Sequence, residues 1–362
     1  MLANFKRILC IALICVFMTG CLSSAPQVHE TSTSTLPSYS NQPQTVITTT
    51  DTTPTTSAPE TSVTSTEPLI LLPPSSGFVP QLSVSQTPQK PKVDIPSLSA
   101  KQYFIYDTRT QEFLYINCDA SKTIYPASTT KLFTTYVALQ YLTPNQIITV
   151  GNELSYMGSD ASTAGFRRGD RVSVEGLAYG ALLPSGCDAS YILAAAAGKV
   201  ILKDQNATAK SAIQAFMNEC NRMAKELGMG NTNLVTPDGY HHKDHRISME
   251  AFAIIGSLCL NHKLISRIVA STKATITYIG SNGKSCTLQF QNTNKCILPS
   301  SSYYNKECIG LKTGYTTPAG YCLLTAYKVD GRYVIIGIFG CASANTRFKD
   351  ANKLFEVYRP YL

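Results

Sequence analysis

Residues 22–95 hold 13 Ser, 15 Thr and 11 Pro in 74 positions, and only seven charged residues. Such a stretch has too little apolar surface to offset its chain entropy, so it reads as an extended, disordered tether outside any fold. Whatever this chain folds into must therefore come from residues 96–362, which carry 20 of its 22 Gly. That length is enough to bury one full core. No 20–50-residue repeat recurs, no heptads persist, and no apolar run reaches about 18 residues. A solenoid, a coiled coil and a polytopic membrane protein are excluded.

The N-terminus points to export. Lys6 and Arg7 precede an apolar run of 11 residues, 8–18, which has signal-like length and is short for a membrane span. The run ends in Thr19-Gly-Cys21, with Ser23 and Ser24 just beyond. This resembles a bacterial lipoprotein signal, in which the Cys is acylated and becomes the mature N-terminus. An ordinary cleaved signal, or an uncleaved anchor over residues 8–22, is the alternative. The expected organisation is a signal at 1–21 with lipidation of Cys21, a tether at 22–95 and a folded domain at 96–362. The lipid would hold the domain on the outer face of the cytoplasmic membrane, facing the cell wall.

Setting aside Lys6, Arg7 and the tether's charges leaves 27 basic and 18 acidic residues, a net +9 on the domain. That charge favours anionic surroundings such as wall polymers or lipid headgroups. No Lys/Arg run, recognition-helix pattern or aromatic-basic signature supports a nucleic-acid partner. The domain's nine Cys are odd in number and lack zinc-ligand spacing. Cys259, Cys322 and Cys341 lie in apolar runs and read as small buried hydrophobes.

Periodicity and turn signals predict a hairpin over 103–116 and a helix opening after Pro126. Helices follow over 172–197 (broken at 183–186), 210–227 and 248–264. A second hairpin spans 275–280 and 286–291. Strands are expected at 310–315, 321–329 and 332–339, the last two joined by Asp330-Gly331, and a helix at 345–358. Strands at both ends with helices between them give a mixed α/β (α+β) fold: an antiparallel sheet built from both termini of the domain, with a helical insert.

Ser128-Thr-Thr-Lys131 puts a hydroxyl and an amine three apart on one helix face, within reach of each other. A Ser hydroxyl needs a base to take its proton, and a desolvated lysine near another cation can serve. The helix N-terminus adds N–H donors for a developing oxyanion. Alone, this spacing is common: Ser281-Asn-Gly-Lys284 also has it. Two further elements narrow the reading. Ser185-Gly-Cys187 lies at the break between helical runs, and Lys312-Thr-Gly314, the chain's single Lys-Thr-Gly, lies on an expected strand.

In this order the three match the active-site set of the penicillin-binding proteins and serine β-lactamases. Residues from about 100 to 360 resemble the serine D-alanyl-D-alanine carboxypeptidases, the low-molecular-mass penicillin-binding proteins. Tyr125-Pro-Ala-Ser-Thr-Thr-Lys131, Thr236-Pro-Asp-Gly-Tyr240, Asn292-Thr-Asn-Lys295 and the stretch 310–322 carry the likeness. The resemblance implies a β-lactamase/transpeptidase-like fold, no cofactor and no metal. It also implies removal of the terminal D-Ala from peptidoglycan stem pentapeptides ending in D-Ala-D-Ala, and acylation by β-lactam antibiotics. In its terms Ser128 is the nucleophile, Lys131 its base, and Ser185 a proton relay. Lys312 supplies positive potential, and Thr313 with Arg347 binds the terminal carboxylate. Gly314 lets substrate lie close to the strand, and the backbone N–H groups of Ser128 and Tyr315 form the oxyanion hole. The chain stops soon after its last helix, without the second domain and C-terminal anchor of many relatives; the N-terminal lipid would replace that anchor.

Cys187 stands where the family has Asn. A thiol cannot reproduce an amide's two donors and carbonyl, so a slower but working enzyme is expected. Lys131 and Lys312 nearby should lower the thiol's pKa and make Cys187 the most alkylation-prone of the accessible cysteines. A β-lactamase of the same fold is the second reading. It lacks the Glu-x-x-Leu-Asn of class A enzymes, and Glu250 reads as a helix-start residue. A catalytically weak wall-binding lipoprotein is the third, kept because of Cys187. His241-His-Lys-Asp-His245 reads as a polar surface loop rather than a metal site.

Overall fold

The computed structural model describes residues 93–362; the expected signal, Cys21 and nearly all of the tether lie outside the described residues. The described chain opens with a hairpin, β1 (Gln102–Asp107) and β2 (Glu112–Ile116), then a short β3 (Thr123–Ile124). A 3-10 turn at Ala127–Thr129 leads into α1 (Thr130–Ala138). β4 (Ile147–Thr149) and β5 (Arg171–Ser173) flank a long loop before α2 (Val174–Leu182) and α3 (Cys187–Leu202). Next come α4 (Ala209–Glu226), β6 (Ile247–Ser248), α5 (Met249–Asn261) and α6 (Lys263–Val269). The C-terminal part is β7 (Lys273–Ile279), β8 (Ser285–Gln291), β9 (Cys308–Thr316), β10 (Gly320–Val329), β11 (Arg332–Cys341) and α7 (Thr346–Tyr358).

The main sheet has the order β2-β1-β11-β10-β9, antiparallel throughout. Strands from both ends of the domain thus share one sheet, as the sequence pattern predicts. Two of its three inner strands, β10 and β11, bury both faces along most of their length, and alternate residues feed two cores. Leu324 and Ala326 join Phe252 and Leu132 on one side; Leu323 and Tyr327 join Phe348 and Leu354 on the other. Phe252 of α5 packs on Phe339 at 4.3 Å between ring centroids, and Phe355 of α7 stacks on Tyr327 at 4.0 Å. The β10–β11 turn places Asp330 and Gly331 at φ 49° and 81°, the left-handed pair that a tight hairpin requires.

Helix starts follow capping chemistry. Ser173, Thr208 and Ser248 each accept a hydrogen bond from a backbone N–H three residues on, opening α2, α4 and α5. One expectation needs correction. The helix expected over 248–264 ends at Asn261, because His262 is extended and its ring Nδ1 caps α6 by accepting from Ile265 N at 3.4 Å. α5 and α6 consequently meet at 100°. The hairpin expected over 275–280 and 286–291 is present as β7–β8 and belongs to a second sheet, β4-β5-β7-β8.

Candidate active site

Ser128 lies in the 3-10 turn and Lys131 in the first turn of α1, so the i, i+3 spacing brings them into contact. Lys131 Nζ is 2.8 Å from Ser128 Oγ. The lysine has no solvent exposure. It also donates to Asp238 O at 2.9 Å and to Cys187 Sγ at 3.4 Å, so three acceptors match an ammonium's three N–H groups. Among the described residues no carboxylate forms an ion pair with it.

The α2–α3 break supplies the second wall. Ser185 is buried with φ 71°. Its carbonyl accepts from Ser162 Oγ at 2.7 Å, while Cys187 N donates to Ser162 O at 2.8 Å. The long loop before β5 is thereby pinned over the break. The Asp188 carboxylate completes the pin by accepting from the backbone N–H groups of Ala164, Gly165 and Phe166. Among the described residues the Ser185 hydroxyl holds no hydrogen bond to Ser128 or Lys131; the segment reaches the lysine through Cys187.

β9 is the third wall. A Cβ on Gly314 would stand 3.0 Å from Ser128 N and 3.1 Å from Pro126 O. The room left by the missing side chain is therefore taken by the chain's own nucleophile turn, where the sequence reading gave it to substrate. Lys312 is fully buried, and its Nζ donates to Thr313 O at 3.0 Å. Burial pushes its pKa well below the usual lysine value, and the Lys131 and Arg347 cations push the same way. Thr313 Oγ1 is 2.6 Å from Thr293 Oγ1. Among the described residues, three of the six non-glycine residues at positive φ sit at these walls: Ala127 at 49°, Ser185 at 71° and Leu311 at 74°. Each such conformation costs about 1–3 kcal/mol, and such residues cluster at active sites.

A sequence profile of the D-alanyl-D-alanine carboxypeptidases matches residues 86–343, most of the chain and all three walls. The chain belongs to that family. The D-alanyl-D-alanine carboxypeptidase of Streptomyces sp. (strain K15) is 29% identical over 266 residues, 72% of this chain and 87% of that protein. Carboxypeptidases of Bacillus subtilis and Escherichia coli are each 27% identical, and the chain spans 61% and 62% of their lengths. The Streptomyces K15 DD-transpeptidase structure superposes with a TM-score of 0.67 at 27% identity, over 74% of this chain and 100% of that one. Penicillin-binding protein D2 from Listeria monocytogenes, in its ampicillin-bound form, gives 0.56 at 25% identity, over 72% and 98%. The fold is the transpeptidase-like one expected, and the chain is a hydrolase of the D-alanyl-D-alanine carboxypeptidase family.

Within this carboxypeptidase-family site several residues behave differently from expectation. Burial pushes the Cys187 thiol pKa up, outweighing the opposing pull of Lys131. The thiol is 4% exposed, so neither the expected low pKa nor the exposure that ready alkylation needs is found. Arg347, in the first turn of α7, donates through Nη1 to Gly314 O at 2.9 Å and Cys322 O at 3.3 Å. Its Nε is buried without a hydrogen-bond partner among the described residues, and burial lowers its pKa to about 10. The guanidinium also lies over the Tyr321 ring, which stacks on the half-exposed Tyr315. His245 departs from the surface loop assigned to it: it is 1% exposed, and its Nε2 is 3.0 Å from Thr130 Oγ1. Ser162, Thr293 and the Asp238 carbonyl were missed as site groups, because none of them carries a chemical signature of its own.

Proposed function

We propose that this protein is a serine-type D-alanyl-D-alanine carboxypeptidase that trims peptidoglycan stem pentapeptides through an acyl-enzyme on Ser128. The contact between Lys131 Nζ and Ser128 Oγ at 2.8 Å carries the reading. The Ser128 proton passes to Lys131 Nζ as Oγ attacks the carbonyl between the two D-alanines. The Ser128 and Tyr315 N–H groups face the oxyanion, and Gly314 keeps β9 close enough to Ser128 for them to share it. Collapse expels D-alanine, whose amine takes a proton relayed through Ser185, and leaves an ester on Ser128. Water then hydrolyses the ester. Lys312, Thr313 and Arg347 hold the substrate's terminal carboxylate, and Cys187 takes part of the place of an Asn beside the peptide. β-Lactams acylate the same Ser128 and leave slowly.

Wild-type protein should release D-alanine from a D-Ala-D-Ala-terminated pentapeptide, and Ser128→Ala should not. Equal release by the variant would end the proposal. A second reading, transfer of the acyl group to an amine, is favoured by the name DD-transpeptidase borne by the Streptomyces K15 relative. Adding a glycine-type amine acceptor distinguishes the two by the ratio of transfer product to free acid. The lipoprotein reading joins this proposal: Cys21 is acylated, and 22–95 tethers the domain to the outer face of the cytoplasmic membrane. Cys21→Ser should move the protein out of the membrane fraction, and a wild-type mature N-terminus without lipid mass would refute the anchor.

A further inference from the structure

We propose that His245, neutral and carrying its proton on Nε2, is a positioning residue that sets the Ser128 turn through Thr130. The argument is one of donors and acceptors. His245 Nδ1 is 3.2 Å from the backbone N of both Val235 and Thr236. A backbone N–H can only donate, so Nδ1 must be the lone-pair nitrogen and the ring proton resides on Nε2. That Nε2–H points at Thr130 Oγ1, 3.0 Å away. Thr130 in turn gives its hydroxyl proton to Ala127 O at 2.8 Å. The chain of hydrogen bonds thus runs in one direction from the 235–236 backbone to the carbonyl of the residue before the nucleophile.

Ala127 needs such support because it holds φ 49° without being a glycine. The same loop braces α1 at two more levels: Thr134 Oγ1 donates to Pro237 O at 2.7 Å, and Lys131 Nζ donates to Asp238 O at 2.9 Å. Gly239, at φ 78°, lets the loop close on the turn, since a Cβ there would fall 1.9 Å from Ala127 O. His245 adds a third side-chain link between this loop and the nucleophile helix, the one that reaches the Ala127 carbonyl through Thr130.

Protonating Nδ1 would set an N–H against two N–H donors and undo the chain. The charged and titratable groups facing the ring are Asp238, which favours protonation, and His241, His242 and Arg246, which oppose it. Burial dominates, and the ring's pKa falls from 6.5 to about 4. The unfolded chain takes up this proton first, so the stability contributed by neutral His245 is complete above about 6.5 and is lost as pH falls through about 4.

The role rests on the acyl-enzyme reading, so the test is run on the full chain with penicillin, wild type alongside. Thr130→Val keeps the shape but removes the hydroxyl. It should slow acylation by about tenfold or more while leaving the pre-acylation dissociation constant nearly unchanged. Thr130→Ser, which restores the hydroxyl, should recover most of the rate. In 15N-histidine-labelled protein the His245 ring, identified by its shift in Thr130→Val, should report an unprotonated Nδ1 from pH 8 down to about 5. An Nδ1–H tautomer, or a Thr130→Val enzyme acylated at the wild-type rate, overturns the positioning role alone. Absence of labelling in the wild type overturns the acyl-enzyme reading and this role with it.

Discussion

The helical wall and the strand wall of the cleft each bury a lysine completely, and they hold it in opposite ways. Lys131 is enclosed by Ser128 Oγ, Cys187 Sγ and Asp238 O, so every N–H of an ammonium has an acceptor. Among the described residues Lys312 Nζ has one hydrogen bond, to Thr313 O, and its pKa is pushed well below normal by burial and by neighbouring cations. Neither has a carboxylate partner among the described residues. The difference assigns different work to two like side chains. The first is a proton carrier whose place is fixed; the second is a buried amine whose charged form burial disfavours until an anion arrives.

The comparison breaks most visibly if the two lysines prove interchangeable. Lys131→Ala should lower the penicillin acylation rate by about 10²–10⁴, whatever β-lactam is used, because the base is gone. Lys312→Ala should cost less, about 10–100-fold, and only for ligands bearing the carboxylate. Rates for a penicillin and its methyl ester measure this, and equal losses on both would remove the anion-binding role. An arriving carboxylate should raise the Lys312 pKa toward its usual value, so binding takes up a proton. Calorimetry on Ser128→Ala in two buffers of different ionisation enthalpy should show that uptake; proton release would contradict it.

A smaller effect belongs to the contact between the walls. Gly314→Ala puts a Cβ 3.0 Å from Ser128 N, so β9 or the turn must give by a few tenths of an ångström. Acylation should fall about tenfold with little change in melting temperature. Unaltered kinetics would mean that the strand does not set the nucleophile's position. The smallest effect concerns Cys187. Iodoacetamide should modify the partly exposed Cys118 and Cys286 before the buried Cys187, with penicillin labelling nearly intact after the first two. Cys187 reacting first would return it to the exposed, activated thiol that the sequence suggests.

What the sequence made legible follows the range of each interaction. The strands of β9, β10 and β11 announce themselves by composition and by Asp330-Gly331, and Ser128–Lys131 is a contact between near neighbours. β4 and β5 are three residues each and too short to show a period. The break at His262 depends on a ring nitrogen capping a helix, which propensity does not encode. Asp238 acts through its carbonyl, so its residue type gives no sign of the role. His245 was hidden by its polar neighbours, although the buried Ile247 and Ser248 just after it mark where the loop turns inward. For Cys187 the nearby cations were foreseeable, but the burial that outweighs them was not.

The central claim is that Ser128, activated by Lys131, is the nucleophile. The most direct test is intact-mass and peptide-mapping mass spectrometry of the full chain after brief exposure to penicillin. The account predicts one penicilloyl group per chain, located on Ser128 and absent from Ser128→Ala. An adduct on any other residue, or undiminished labelling of that variant, would contradict it.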